Sequence, residues 1–207
     1  MSHVKGSNLL SRMQFVIDRF GPEAWEKVLN ALPNGEGARL SPRILPSSWY
    51  PFTLYNHLDM AICQVLAGGK LGICQEMGAD SARRALAGTY RIYLKDGPAA
   101  LLRRLAVLHR TFYDAGKMEV TSLDDGHSVI RNSYVPCSTR TNCLVAAGFY
   151  ATVVELCGGR NVRVTEGNCS AEGARDCLFN ILWETGPQPQ IDRPRILAAH
   201  PTARSRA

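Results

Sequence analysis

Residues 141–183 read TNCLVAAGFYATVVELCGGRNVRVTEGNCSAEGARDCLFNILW, and this stretch decides the fold. Its first part is strongly apolar and ends at Cys157-Gly158-Gly159, the pattern of a helix closed by a glycine stop, with Thr141 or Asn142 placed to cap its start. Asn161 to Glu166 then alternates Val162 and Val164 with Arg163 and Thr165, the period of a half-buried strand. Asp176 to Trp183 predicts another strand. Upstream, Lys117 to Ser122 and Ser128 to Val135 flank the turn Asp124-Asp125-Gly126-His127 and read as a hairpin. The order over 117–184 is therefore ββαββ.

The residues before this unit predict helices. Ser7 to Phe20 sets Leu9, Leu10, Met13, Val16, Ile17 and Phe20 at helical spacing, with Ser7 as N-cap. Gly21-Pro22 breaks that helix and opens a second one through Trp25, Val28, Leu29 and Leu32. Pro33 to Pro46 is punctuated by Gly and Pro and reads as loop. Helices follow over about Pro51 to Leu66, from Gly72 to about Lys95 with Gly78 and Gly88 as weak points, and from Pro98 to near Gly116. The last carries Leu101, Leu102, Leu105, Leu108 and Phe112 as its buried stripe. The expectation is an α+β fold: a helical half (1–116) that helps form a pocket and a dimer, an antiparallel ββαββ unit (117–184), and a flexible tail (185–207). The strand order is left open.

A chain of 207 residues suits one domain, and 45% hydrophobic residues with 20% charged excludes a disordered chain. No uncharged apolar run reaches the ~18 residues of a membrane-spanning helix. Arg12, Asp18 and Arg19 interrupt the N-terminal apolar stretch, so no secretory signal is read and a cytoplasmic protein is expected. The net charge is +6, but half the excess sits in the tail, where Arg193, Arg195, Arg204 and Arg206 face only Asp192. Direct nucleic-acid contact is therefore not expected. Seven cysteines, an odd number, argue against a disulfide framework and turn attention to metal binding.

Cys143 opens the C-terminal helix, Glu166 ends the next strand, Cys169 lies in the following turn and Cys177 opens the last strand. Three thiolates and a carboxylate are a donor set suited to tetrahedral zinc. A helix N-terminus would also lower the Cys143 thiol pKa. Cysteine is equally a common buried hydrophobe, so the spacing alone leaves both readings open.

The stretches Gly148-Phe149-Tyr150, Glu155 to Gly159, Val162 to Val164, Glu166 to Gly173 and Cys177 to Ile181 resemble the 4-vinyl-reductase domain. That family is similar in fold to subunits of the transport-protein particle and supplies the sensor half of aromatic-responsive bacterial transcription activators. The resemblance, over residues 117–183, implies a structural zinc held by Cys143, Glu166, Cys169 and Cys177, without catalysis. It also implies a cavity for a small hydrophobic or aromatic ligand between helices and sheet. His109, Phe112, Tyr113, Phe149 and Tyr150 are candidates to line it. Val164 stands where the aromatic sensors carry a tyrosine, so a phenol ligand is not implied. The chain lacks the activators' ATPase and DNA-binding modules, so output through a regulatory partner protein, and a homodimer, are expected.

Three other readings rank behind. Gly6 and Phe20-Gly21-Pro22-Glu23-Ala24-Trp25 resemble the opening of haem nitric-oxide-binding domains, with His109 as the available axial ligand. The Tyr-x-Ser-x-Arg motif of that family, which grips the haem propionates, is absent. A reductase accessory role for tetrapyrroles finds no G-x-G-x-x-G after a strand. An interaction scaffold of transport-particle type would use Trp49-Tyr50-Pro51-Phe52, which reads first as an anchor pinning its loop.

Overall fold

The structure, a computed structural model, describes residues 2–41, 43–88, 90–133 and 139–185. Cys137 and all of the expected tail beyond Thr185 lie outside the described residues. The chain starts with a short strand, β1 (His3–Lys5), that runs straight into α1 (Gly6–Phe20). Ser7 is not the N-cap. The first helical N–H groups are taken by loop carbonyls instead, Gly6 N–H by Ser48 O at 2.9 Å and Ser7 N–H by Pro46 O at 3.0 Å. This satisfies the same orphan donors that a capping side chain would. Gly6 is required there, because a Cβ would stand 2.0 Å from Leu45 O.

α2 (Pro22–Asn30) follows with proline in its first turn. Part of the expected loop is 3₁₀-helical, Pro33–Arg39. β2 (Trp49–Pro51) pairs antiparallel with β1, Val4 opposite Tyr50. Neither three-residue strand has an alternating pattern to read. In the aromatic cluster Phe52 is buried, while Trp49 stays partly exposed beneath the Lys5 ammonium, 3.9 Å from the ring centre.

α3 (Phe52–Ala67) and α4 (Gly72–Ala87) come next. α4 stops near Gly88 rather than running to Lys95, and a 3₁₀ stretch, Arg91–Asp96, leads into α5 (Gly97–Phe112). Gly78 does not weaken α4 to breaking, because it serves a crossing. A Cβ on Gly78 would lie 2.0 Å from Val145 O, and one on Gly148 would lie 2.1 Å from Gln75 O. Two glycines thus let the backbones of α4 and α6 (Arg140–Leu156) touch.

The ββαββ order is as read: β3 (Lys117–Asp124), β4 (His127–Ser133), α6, β5 (Arg160–Asn168) and β6 (Cys177–Glu184). The strands form one antiparallel sheet in the order β3-β4-β6-β5. Ile130 on β4 faces Phe179 on β6 in register, and both are buried on the face that α6 covers. Thr139, not Thr141 or Asn142, caps α6. Thr139 Oγ1 accepts from Asn142 N–H at 3.4 Å and Asn142 Oδ1 accepts from Thr139 N–H at 3.3 Å, a capping box.

Buried side chains gather in two clusters. One joins α1, α2, α3 and the start of α4. The other joins the end of α4, α5, α6 and the sheet. Each fully buried Leu, Ile or Phe stabilises its cluster by roughly 1.5–3 kcal/mol. No helix among the described residues is long and apolar enough to cross a membrane.

Candidate functional site

A cavity of about 410 Å³ lies among α1, α4, α5 and α6, reaching the start of β3. Leu101 and Leu105 of α5, Val145 and Val153 of α6 and Leu86 of α4 give it apolar walls. His109, Phe112, Tyr113, Phe149 and Tyr150 all line this one space. His109 sits near the end of α5, 5% exposed, with its ring stacked on Tyr113 at 4.8 Å and 21°. Burial, helped by neighbouring Arg110, pulls its pKa down to about 4. The imidazole is therefore neutral near pH 7 and keeps a nitrogen lone pair. Tyr150 donates to Asn132 Oδ1 at 3.1 Å and accepts from Asn132 Nδ2 at 2.8 Å, which joins α6 to the inner face of β4. Burial raises the pKa of this phenol, so it stays protonated.

A polar centre, unread from the sequence, borders the same cavity. Arg12 of α1 is 2% exposed and Asp59 of α3 is fully buried. Arg12 Nε donates to Asp59 Oδ1 at 2.6 Å, Nη1 to Ser81 Oγ at 2.7 Å, and Nη2 to the Tyr55 hydroxyl. Asn142 Nδ2 reaches Asp59 Oδ2 at 3.4 Å. Burial opposes the charge on Arg12, yet Asp59 and Tyr55 raise its pKa and hold the proton. Burial raises Asp59, and the guanidinium pulls it back. Two signals were present: Arg12 lies on the Leu9–Val16 stripe of α1, and Asp59 is the only acid within the apolar α3.

The four candidate metal ligands meet at the start of α6. One donor atom from each of Cys143, Glu166, Cys169 and Cys177 lies within 4.8 Å of the others. Cys143 Sγ is 3.5 Å from Cys169 Sγ and 3.4 Å from Cys177 Sγ. Ser170 reaches Cys177 Sγ with its N–H at 3.3 Å and its hydroxyl at 3.0 Å. Arg140 pairs with Glu166 and extends to Cys169 Sγ at 3.6 Å. The Cys143 thiol pKa is not lowered by the helix end. Its hydrogen bond to Cys177 and its burial raise it. Cys177 is the group brought down, to about 6, by the Cys143 and Ser170 bonds against the effect of burial. Sulfur charge is thus held by hydrogen bonds within the cluster. Cys63, Cys74 and Cys157 are buried elsewhere as free thiols.

No family model and no curated protein matches the chain. Solved structures do. An H-NOX protein from S. oneidensis in the Fe(II)NO ligation state superposes with a TM-score of 0.68 at 12% identity, over 87% of this chain and 99% of that one. An Fe(II) unliganded H-NOX protein from K. algicida gives 0.66 at 13%, over 88% and 97%. An H-NOX from Shewanella woodyi in the Fe(II)CO ligation state gives 0.58 at 15%, over 90% and 97%. At these identities the likeness establishes a shared fold.

Two expectations are overturned. The 4-vinyl-reductase and transport-particle resemblance gives way, because structures spanning nearly the whole chain are H-NOX folds. The earlier resemblance rested on the C-terminal third alone, where a cysteine spacing outweighed the helical half. The structural zinc, and with it a zinc-binding character, falls too. It came with that family, whereas the fold neighbours are described by their Fe(II) state. A self-bonded cysteine cluster is not in itself evidence of zinc. The opening at Phe20 to Trp25, ranked behind, is the reading that agrees with the neighbours' fold.

Proposed function

We propose that this chain is a sensory domain whose cavity binds a haem-type tetrapyrrole, with His109 as axial ligand, and that it reports to a partner protein without catalysing a reaction. The observation that carries the reading is a neutral, buried imidazole in the wall of an apolar cavity. It is supported by a fold shared with H-NOX proteins described in Fe(II)NO and Fe(II)CO states.

The residues present fit such a group. Leu101, Leu105, Val145 and Phe149 offer the apolar surface a macrocycle needs, and His109 offers a nitrogen donor of a type that haem iron takes. The Tyr113 ring holds the imidazole plane by stacking. Of the two arginines on the wall, Arg12 is committed to Asp59, while Arg84 is partly exposed and shared between Asp80 and Asp18. Arg84 is the cation able to meet a carboxylate-bearing edge. When bound, haem supplies an iron to which a diatomic gas can attach.

Titration of the purified chain with hemin tests this. A saturable Soret band near one equivalent is expected. It is lost or shifted in His109→Gly and restored by added imidazole. Absence of a saturable band, or a band indifferent to His109→Gly, rejects the reading.

A further inference from the structure

The helix that turns His109 inward presents a different face outward. Between Arg91 and Arg110 five cations stand against one carboxylate, Asp96. Arg104 takes up that carboxylate at 3.1 Å and lies over the Tyr93 ring at 4.6 Å, which pins the 3₁₀ stretch Arg91–Asp96 to α5. The next acid along the chain, Asp114, is engaged by His3 at 2.6 Å. Arg103, Val107 and Arg110 follow at i, i+4 and i+7, one stripe of α5, and all are exposed. Val107 is 79% exposed, the highest value among the large hydrophobic side chains of the described residues.

We propose that Arg103, Val107 and Arg110 form a docking face for a protein partner whose surface interleaves acidic and aliphatic side chains. The charge argument selects acidity. Val107, exposed between Arg103 and Arg110 on one stripe, selects a protein, since a phosphate backbone rewards cations and gains nothing from an aliphatic side chain. Association would bury Val107 while keeping the guanidinium groups at a polar rim. The inference rests on the surface of α5 and stands whether or not the cavity takes haem.

The test uses the full chain, isotope-labelled and without added haem, titrated with a synthetic helical peptide carrying Leu and Glu along one face. Backbone amide shifts centred on Arg103, Val107 and Arg110 are expected, with an affinity that weakens as salt is raised. A Val107→Glu variant should bind about tenfold more weakly, the loss of one central contact. A charge reversal, Arg103→Glu with Arg110→Glu, should abolish binding to this peptide and create binding to its Lys-for-Glu counterpart. Shifts centred elsewhere, or an affinity unchanged by either variant, overturn the proposal. So does tighter binding to a short duplex DNA or to phosphatidylserine vesicles than to the peptide, or self-association of the chain through this face. All three positions are exposed, and circular dichroism of the variants separates lost docking from lost folding.

Discussion

Two buried polar clusters lie on either side of Asn142, and they are built on opposite principles. Around Arg12 and Asp59, formal charges cancel one another inside the helical half, with Tyr55, Ser81 and Asn142 completing the bonds. Around Cys143, Cys169 and Cys177, polarizable thiols share hydrogen bonds at the head of α6, and beside them Arg140, partly in solvent, pairs with the largely buried Glu166. The first cluster depends on a pair whose members cannot be removed singly, since a lone buried charge is costly. The second consists of groups that can be neutral and are small apolar fillers when they are. The contrast separates a cluster that holds helices together through charge from one that fills a junction with hydrogen-bonded thiols.

The largest test of this contrast is Asp59→Ala, which leaves the Arg12 guanidinium buried and unpaired. A loss of about 3–5 kcal/mol in denaturant unfolding is expected, and Arg12→Met with Asp59→Leu should restore most of it. If the double variant is as unstable as the single one, the charge argument fails. Cys177→Ala should cost less, about 1–3 kcal/mol, because Cys143 and Ser170 lose an acceptor and a small void opens. A loss as large as that of Asp59→Ala would erase the distinction between the clusters. Arg140→Ala should cost about 1–2 kcal/mol, since the Arg140 side chain is 41% exposed and its pair with Glu172 is solvent-screened, while Glu166, 9% exposed, loses its partner. A separate test concerns pH dependence. His109 titrates at about 4 when folded against an ordinary 6.5, so the unfolded chain binds that proton more readily. The contribution of the neutral imidazole is whole above pH 6.5 and declines as the pH falls from 6.5 towards 4. His109→Leu should flatten the stability curve over that window, measured by denaturant midpoints at successive pH values.

The sequence was most legible where a periodic pattern was long. α1, α2, α5 and the order of β3, β4, α6, β5 and β6 follow from apolar spacing and from Gly and Pro placement. The ends were less so, because caps can be exchanged. Loop carbonyls from Pro46 and Ser48 replaced Ser7, and Thr139 replaced its two neighbours. The pairing of β1 with β2 left no trace, since three-residue strands carry no period and owe their pairing to distant chain. In the cavity, the apolar and aromatic lining was readable on helix faces. Arg12 and Asp59 were not, because a charge on a helix is ordinarily solvated and only its partner across 47 positions makes burial tolerable. The zinc expectation shows the opposite hazard: the four side chains do meet, but a borrowed family supplied an ion for them.

By itself, then, the sequence determined local matters: which segments are helix or strand, which faces are apolar, and where glycine permits close approach. Those depend on neighbours a few residues away. Only the tertiary structure decided that α4 and α6 cross at Gly78 and Gly148, that a neutral His109 shares a cavity with a cancelled Arg12–Asp59 charge, and that the stripe of Arg103, Val107 and Arg110 on α5 is exposed. Each of these is a relation between distant parts of the chain, and burial and charge pairing acquire their energies only once those parts meet.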